Sequence, residues 1–441
     1  MITVIDSIMG SGKTTWAINY MNTHPEDRFL YITPYLPEQE RIMEACPVLK
    51  FKQPEERPTK SAHFHALLRE GRNIALTHSL FSILELSQEE KDLLGLYGYK
   101  LILDEVLDVV RKINIKIDDI EMMMGMGKFR IEEPERRVHW LHDEYDGQFE
   151  NLKQQAKNGN IVQSKHGTLL WLFPEDILRL LFDAYVLTYM FDGSYLKPYF
   201  EIFGLEYRIA FIKNGELVYG RSDDRKIRAQ IKGLMDIEQN KARNQVGDEE
   251  KSLTKGWYEK EKKRGIRIIP LKNAFNFLHH VCGAIQKDAM YTVYDEMIHG
   301  SGRKYEMPRF GDAAFVPCNS RATNVHANRR FLAYLINLHT DPTIDEWFKE
   351  HGKVVNKDAI ALASMLQWIW RSAIRNGERI RLYIPSWRMR KMLEGWLEGL
   401  PAGQIACTDD EEKERKMRAI THRIVKRERI KKKVRIKKNS A

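Results

Sequence analysis

A glycine-rich segment near the start of the chain has the residue types that bind phosphate. Residues 7–14 read SIMGSGKT and separate an apolar run from a helical pattern, the strand, turn and helix order of a phosphate loop. Backbone amides of such a turn surround the phosphates, Lys13 would reach the β and γ oxygens, and Thr14 would ligate Mg²⁺. The usual pattern begins with glycine, whereas this chain has Ser7, another small residue. The predicted nucleotide-binding residues are Gly10, Ser11, Gly12, Lys13 and Thr14.

A pair of acids farther along the chain would complete this site. The apolar residues 101–103 run directly into Asp104 and Glu105, 91 residues after Lys13. An acid at the end of a strand beside a phosphate loop can hold the magnesium shell, which is the role predicted for Asp104. Glu105 would then orient and deprotonate the attacking water. In isolation such acids are ordinary surface residues, but their place after a phosphate loop predicts a site that hydrolyses ATP.

Three polar residues in the second half of the chain follow helical spacing. Gln367, Arg371 and Arg375 recur at four-residue intervals, and apolar residues lie between them. The spacing predicts one polar stripe on a helix over residues 358–375. An arginine supplied from a second domain can neutralise charge on a transferred γ-phosphoryl group, so all three are candidate catalytic residues. A solvated arginine face is the alternative interpretation.

The elements that must position these residues form an α/β pattern. Short apolar runs separated by helical spans predict a parallel sheet covered by helices on both faces. These runs are residues 2–5, 29–33, 73–77, 100–103 and 184–191. A second α/β domain is predicted from strands at 313–316 and 380–384 and from helices near 325–337, 358–375 and 387–398. The strongly charged residues 221–264 predict an inserted arm or a linker.

Length and composition restrict the class of protein. The chain has 441 residues, 43% hydrophobic and 30% charged, as expected for a soluble globular protein of two or three domains. It has neither a long uncharged apolar run nor a signal-peptide pattern, which predicts no membrane partner and a cytoplasmic location, in the host cytoplasm if the source is viral. The four scattered cysteines exclude a disulfide framework and a zinc ribbon. His279, His280 and Cys282 lack a fourth metal ligand at suitable spacing, which favours packing roles.

The net charge of +10 comes from the end of the chain. Residues 411–441 contain 14 Lys or Arg and 4 Glu, whereas the first 410 residues contain 57 basic and 57 acidic side chains. A basic tail on a neutral body favours a polyanionic partner. Its apolar residues partly follow helical spacing, so the tail could form an amphipathic helix on phosphate. A solubilising tail and a nuclear localisation signal are the alternatives.

Together these segments resemble superfamily 2 DNA helicases, and more closely the divergent phage and herpesvirus-type origin-binding helicases. Motif I is similar to residues 7–14, motif Ia to residues 33–39, and the segment after Ia to residues 76–81. Motif II is similar to residues 101–106 and motif III to residues 187–191. Motif V is similar to residues 321–324 and motif VI to residues 367–375. The resemblance implies a P-loop NTPase of two RecA-like domains, residues 1–195 and 196–400, with a basic tail at 401–441. ATP and Mg²⁺ would bind in the cleft between the domains. Tyr189 departs from the family, which has a small residue at this place in motif III.

The function predicted from these features is that of an ATP-dependent DNA helicase or translocase in phage-type replication, recombination or repair. Single-stranded or branched DNA, bound partly by the tail, and replication proteins would be its partners. A nucleoside or nucleotide kinase would also use the phosphate loop, but it would leave the second half of the chain unexplained. A non-catalytic nucleic-acid-binding scaffold would explain the tail but not the pair of Asp104 and Glu105.

Overall fold

The computed structural model divides into two compact units. Unit 1 comprises Met1–Ser222 and Thr340–Asn356, and unit 2 comprises Asp223–His339 and the described residues from Lys357 onward. The structure describes residues 1–262, 268–294, 307–318, 325–405, 407 and 409–421. Each unit contains a parallel sheet with intervening helices, so the predicted α/β fold class is confirmed.

Unit 1 carries two sheets. Its strands are β1 (Ile2–Asp6), β2 (Phe29–Thr33), β3 (Ile74–Thr77), β4 (Lys100–Asp104), β5 (Val110–Lys112), β6 (Phe129–Glu132), β7 (Arg137–Trp140), β8 (Ile161–Gln163), β9 (Leu169–Leu172), β10 (Asp183–Thr188), β11 (Tyr207–Lys213) and β12 (Glu216–Tyr219). Within the described residues, the main sheet has the order β12–β11–β1–β10–β4–β2–β3, and only β12 is antiparallel to its neighbour. The apolar runs predicted near β1, β2, β3, β4 and β10 are therefore strands of one sheet.

Helices cover this main sheet because its central strands are apolar on both faces. The helices of unit 1 before residue 222 are α1 (Lys13–Asn22), α2 (Leu36–Ala45), α3 (Lys60–Arg69), α4 (His78–Phe81), α5 (Gln88–Leu96), α6 (Ile117–Gly125), α7 (Glu150–Lys157), α8 (Glu175–Leu180) and α9 (Leu196–Ile202). Trp16 and Met21 of α1 and Ile42 of α2 pack with Tyr31 and Ile102 in one buried cluster. Packing of this kind fixes the helix that follows the phosphate loop against the sheet.

The register of the main sheet brings the ends of its strands level. Asp6 at the end of β1 lies opposite Thr188 at the end of β10, and Leu187 lies opposite Asp104 at the end of β4. The carboxyl ends of parallel strands meet at one edge, where ligands of open α/β sheets bind. The predicted phosphate loop and acid pair therefore emerge at the same edge, on either side of β10.

The main sheet extends beyond the expected boundary at residue 195. Strand β11 pairs in parallel with β1, and β12 pairs with β11, so residues up to 219 belong to this sheet. A second feature was not predicted: β5 to β9 form an antiparallel sheet in the order β5–β9–β8–β7–β6 between β4 and β10. These strands span only three or four residues each, and runs this short give little periodic signal.

Unit 2 has a four-stranded parallel sheet in its described residues. Its strands are β13 (Met235–Ile237), β14 (Ala289–Thr292), β15 (Phe331–Tyr334) and β16 (Ile380–Tyr383), in the order β13–β16–β15–β14. The helices of its first part are α10 (Arg225–Lys232), α11 (Lys241–Asn244), α12 (Lys255–Lys262) and α13 (Ile269–Phe275). The segment 221–264, predicted as an inserted arm or a linker, contains β13, which pairs with β16 in the sheet. Most charged residues of this segment are exposed, but Asp224, Asp248 and Glu261 are buried.

A short segment in the second half of the chain belongs to unit 1. Helix α14 (Pro342–Glu350) follows the cap residue Asp341, whose carboxylate accepts from the Thr343 amide at 2.8 Å. The ring of Phe348 stacks on Tyr195 at 5.5 Å between centroids. Sequence spacing gives no sign of this pairing, because the two residues are 153 positions apart.

Two further predictions for unit 2 are corrected. Residues 313–316 were predicted as a strand but contain a 3₁₀ turn at Asp312–Ala314, and the predicted helix at 325–337 contains β15 instead. After α14 the chain forms α15 (Lys357–Ile369) and α16 (Trp387–Leu397), close to the predicted helices. However, α15 ends at Ile369, and a 3₁₀ turn spans Ala373–Asn376. The three residues of the predicted stripe therefore do not share one helix face.

The first part of the predicted basic tail is a helix held on unit 2. Residues 409–421 are helical, and Arg418 pairs with the buried Asp248 at 3.0 Å. The Arg415 guanidinium lies over the Trp387 ring, 4.5 Å from its centroid. Lys391 pairs with Glu411 at 3.0 Å. Residues 422–441 lie outside the described residues. No helix in the described part of the chain is long and apolar enough to cross a membrane.

Candidate nucleotide-binding site

The phosphate loop links β1 to α1 through two left-handed glycines. Gly10 has φ +80° and Gly12 has φ +87°, a region that residues with a Cβ adopt only with strain. Gly12 is also the N-cap of α1, and its carbonyl accepts from the Trp16 amide at 2.8 Å. The loop thus delivers its amides at the positive end of a ten-residue helix, which favours an anion.

Ser7 replaces the first glycine of the usual pattern with a side chain that supports the loop. It is buried, and its Oγ accepts from the Ile212 amide of β11 at 2.7 Å. Its own amide donates to the Thr188 carbonyl of β10 at 3.0 Å. The serine therefore ties the start of the loop to both strands that flank β1.

Lys13 is the first residue of α1 and folds back over the loop. Its Nζ donates to the Ser7 carbonyl at 2.6 Å and to the Ile8 carbonyl at 3.2 Å. Desolvation lowers the pKa of Lys13 to about 8, and the charges of Asp104, Asp6 and Glu105 oppose that shift. The ammonium group thus lies within electrostatic reach of both predicted acids, so the sheet brings the loop and the acid pair together.

Asp104 is held by a buried tyrosine. The Tyr31 hydroxyl on β2 donates to Asp104 Oδ2 at 3.0 Å. Burial raises the pKa of Tyr31 well above its usual value, so the phenol keeps its proton and remains a donor. Desolvation, followed by the charge of Glu105, raises the pKa of Asp104 to about 7. A divalent cation would favour the ionised carboxylate by supplying the opposite charge.

Glu105 and Asp6 shape the neighbouring turns. Glu105 has φ +67°, which is strained for a residue with a side chain. The Asp6 carboxylate accepts from the amides of Met190 and Phe191 at 2.7 and 3.2 Å, and desolvation raises the pKa of Asp6. Asp6 therefore fixes the turn after β10, in which Tyr189 lies.

The residues present fit a phosphate chain with a hard divalent cation. Ser11 Oγ is buried and has no hydrogen-bond partner among the described residues, so it can serve a phosphate oxygen. Thr14 and Asp104 supply the oxygen ligands that Mg²⁺ prefers, and Mg²⁺ usually completes its shell with water and substrate phosphates. Glu105, beside Asp104, is a second carboxylate that can accept a proton from water.

The predicted second-half residues all lie in unit 2, in different environments. Gln367 is half-buried on α15, Arg371 is buried just after that helix, and Arg375 is exposed in the 3₁₀ turn. Their catalytic roles remain predictions. The motif V segment at 321–324 is outside the described residues. Trp387, another aromatic residue of unit 2, is buried under Arg415.

Sequence reasoning missed three residues that support the site. Tyr31 appears in the sequence as an ordinary strand residue, Asp6 as the residue after a strand, and His78 only as a member of segment 76–81. Each acquires a role only because the fold brings it close to the end of β4 or β10. His78 Nε2 contacts the Asp104 carbonyl at 2.8 Å although the two residues are 26 positions apart.

Comparison with known proteins assigns a family. The SPbeta prophage-derived uncharacterized protein YonV of Bacillus subtilis (strain 168) is 37% identical over 419 residues, which cover 90% of this chain and 98% of that protein. The chain belongs to the YonV family. Residues 229–397 match the YonV C-terminal Rossmann-like domain and residues 110–171 match the YonV middle domain. The YonV middle domain thus coincides with the antiparallel sheet of β5 to β9, and the YonV C-terminal domain with the core of unit 2.

Solved structures show weaker similarity to this YonV-family chain. S. tokodaii Xpd4 matches with a TM-score of 0.46 and 13% identity, covering 91% of this chain and 94% of that chain. The helicase MrfA bound to DNA and AMPPNP matches with a TM-score of 0.35 and 11% identity, covering 92% of this chain and 49% of that chain. These values are too low to assign a function.

The pKa of Asp104 predicts a pH-dependent stability. Because the folded pKa is about 7 and the ordinary value 3.8, ionised Asp104 destabilises the folded protein. This cost begins above about pH 4 and is complete above about pH 7. Asp104→Asn should therefore stabilise the nucleotide-free protein, with a gain about 3 kcal/mol larger at pH 8 than at pH 5. Denaturant unfolding at both pH values measures this.

The exposed carboxylate of Glu40 provides a matched control in unit 1. Glu40→Gln should change the free energy of unfolding little at either pH, because its carboxylate is solvated in both states. An equal gain for Asp104→Asn at pH 5 and pH 8 would contradict the desolvation of Asp104.

Proposed function

We propose that this YonV-family chain is an ATP-dependent DNA helicase or translocase. The observation that carries the proposal is the convergence of the phosphate loop and the acid pair at one sheet edge, where the charges of Asp104 and Glu105 act on Lys13. A loop that binds phosphate needs no second acid beside its magnesium ligand. The pair therefore favours hydrolysis over binding alone.

The residues of unit 1 have defined roles in the proposed reaction. Loop amides and Lys13 would hold the β and γ phosphates, and Thr14 and Asp104 would hold Mg²⁺, which would supply charge neutralisation on the phosphates. Glu105 accepts a proton from water as the water oxygen bonds to the γ-phosphorus. The bond from that phosphorus to the β–γ bridging oxygen breaks, and ADP and phosphate leave. Tyr31 keeps the Asp104 carboxylate oriented throughout.

We propose Arg371 or Arg375 as the source of positive charge for the transition state. Arg371 or Arg375 would contact the transferred phosphoryl group, with Gln367 as a polar neighbour. A guanidinium binds two phosphate oxygens in a planar fork, so arginine suits this role better than lysine.

The end of the chain supports a nucleic-acid partner. Residues 422–441 contain ten Lys or Arg and one Glu, whereas the docked helix at 409–421 contains five acids and four bases. Docking of the near-neutral helix through Arg418 and Asp248 ties the strongly basic segment to unit 2. We propose that this segment binds the phosphates of single-stranded or branched DNA.

The biological setting belongs to the same proposal. The curated relative is named as a prophage-derived protein, which supports a role in phage-type replication, recombination or repair. Replication proteins would be partners, and the cytoplasm of the host cell would be the location.

Replacement of the proposed base should separate nucleotide binding from turnover. Glu105→Gln should keep ATP binding but lower ATP hydrolysis by roughly 10²-fold or more, since the amide cannot accept the proton. Lys13→Ala should lose both, because Lys13 contacts phosphate in every state. A fluorescent ATP analogue measures binding, and phosphate release with and without DNA measures turnover. Wild-type hydrolysis by Glu105→Gln would remove Glu105 from the mechanism.

The same assay tests the class of activity. A DNA motor should hydrolyse ATP faster when DNA is added. Phosphate transfer to a nucleoside or nucleotide would identify a kinase instead, and binding without turnover would identify a scaffold.

The two arginines of unit 2 should differ in their effect on turnover. The true arginine finger should lose on the order of 10³-fold in kcat when changed to alanine, with little recovery by lysine. Arg379→Ala is the matched control, because Arg379 is an exposed arginine of the same segment. The thermal unfolding temperature of each variant is measured as well, because Arg371 is buried and its replacement also affects stability. Normal kcat in both alanine variants would leave these residues as structural or solvated arginines.

Two truncations should distinguish the basic segment from the docked helix. A chain ending at residue 421 should lose DNA affinity and flatten the plot of log affinity against log salt by several units, because each duplex phosphate contact contributes about −0.9. A chain ending at residue 406 should show little further flattening, since 409–421 has almost no net charge. The maximal DNA-stimulated ATPase rate should persist in the chain that ends at residue 406, which lacks the larger part of the tail. An unchanged salt slope would indicate that the tail serves solubility, localisation or partner docking.

A further inference from the structure

One peptide group in the site is fixed at both of its polar atoms. It is the peptide that joins Asp104 to Glu105, the last residue of β4 to the first residue after it. Its carbonyl lies 2.8 Å from His78 Nε2, and its N–H donates to the Leu187 carbonyl of β10 at 3.0 Å. Because a carbonyl oxygen only accepts, Nε2 is the donor. Neighbouring elements thus hold this peptide from two directions.

The strain at Glu105 makes these two hydrogen bonds consequential. A φ of +67° at a residue with a side chain costs free energy and persists only where the surroundings impose it. Rotation of the Asp104–Glu105 peptide would relieve the strain, and the relaxed backbone would no longer fix the position of the Cα that carries the Glu105 side chain. The bond from His78 opposes that rotation at the carbonyl, and the bond to Leu187 opposes it at the amide.

The position of His78 is itself well defined. It is the first residue of α4, directly after β3, and it is 8% exposed. Thr77 caps this short helix by accepting from the Leu80 amide at 3.2 Å. In the sheet, β2 lies between β3 and β4, so the His78 ring reaches past the end of β2 to the acid pair.

We propose that His78 is a positioning residue that holds the Glu105 carboxylate in line for water activation, acting through the Asp104–Glu105 peptide. This inference rests on the proposed role of Glu105 as the base. Its effect is separate from that of Tyr31, which holds the Asp104 side chain rather than the peptide. His78 touches neither substrate nor metal in this role, and it moves no proton.

Four single variants test the role of the His78 donor. His78→Ala should lower kcat for ATP by roughly ten- to hundredfold, the scale expected for a displaced catalytic group, with equilibrium binding of a fluorescent ATP analogue unchanged. His78→Gln should recover most of the loss, because its amide N–H reaches about as far as Nε2. His78→Asn should recover little, because its amide is one bond shorter. Tyr31→Phe should instead raise the Mg²⁺ concentration needed for half-maximal turnover.

A double variant separates this role from general stability. In the Glu105→Gln background, His78→Ala should cause no further loss of turnover, because the positioned carboxylate is already gone. Thermal unfolding of each variant is measured in parallel. An equal loss in both backgrounds, a loss of nucleotide binding together with stability, or equal activities for the Gln and Asn variants would overturn the proposal.

The proposal and the function on which it rests fail in different ways. If Glu105→Gln hydrolyses ATP at the wild-type rate, the base assignment fails and the inference fails with it. If Glu105→Gln is inactive while His78→Ala is fully active, only the positioning role of His78 is overturned.

Discussion

The level carboxyl ends of β1, β10 and β4 are the constraint on which the rest of the site depends. Parallel pairing sets Asp6 opposite Thr188 and Leu187 opposite Asp104. The side-chain period of a strand is two residues, so a shift of one position between β10 and β4 would turn Asp104 to the other face. The buried apolar residues of these strands prevent that shift, because it would break the packing of the main sheet with α1 and α2.

This register concentrates opposite charges where water is scarce. Desolvation lowers the pKa of Lys13 and raises the pKa of Asp104, so each group is less stable in its charged form than in water. An anionic phosphate chain with a divalent cation would supply the missing partner for both groups at once. The same electrostatic cost that destabilises the free site therefore favours the ligand proposed for it. A lower folding stability of the protein is a common consequence of shaping a site for function.

The turns around the site are held by side chains that have no assigned catalytic or nucleotide-binding role. Ser7 ties the phosphate loop to β11, Asp6 holds the turn after β10, and Tyr31 holds the Asp104 carboxylate. None of these side chains needs to contact nucleotide. They restrict the phosphate loop and acid pair to one geometry, which is the condition under which a few groups can stabilise a transition state.

The sequence by itself determined the local features, and the tertiary structure decided the long-range ones. A phosphate loop, an acid pair after a strand and five buried apolar strands can be predicted because each depends on neighbours within about ten residues.

The polar stripe at 367–375 was wrong as a helix because spacing alone does not show where a helix ends, and α15 ends at Ile369. The segment 221–264 contains a sheet strand because β13 meets a partner 145 residues away, which outweighs its charged composition. Several other features depend on which strands and helices become neighbours. They are the roles of Tyr31 and His78, the packing of α14 in unit 1, and the docking of helix 409–421. Only the folded chain decides this, because the free energy of packing depends on which residues are in contact and not on each residue type alone.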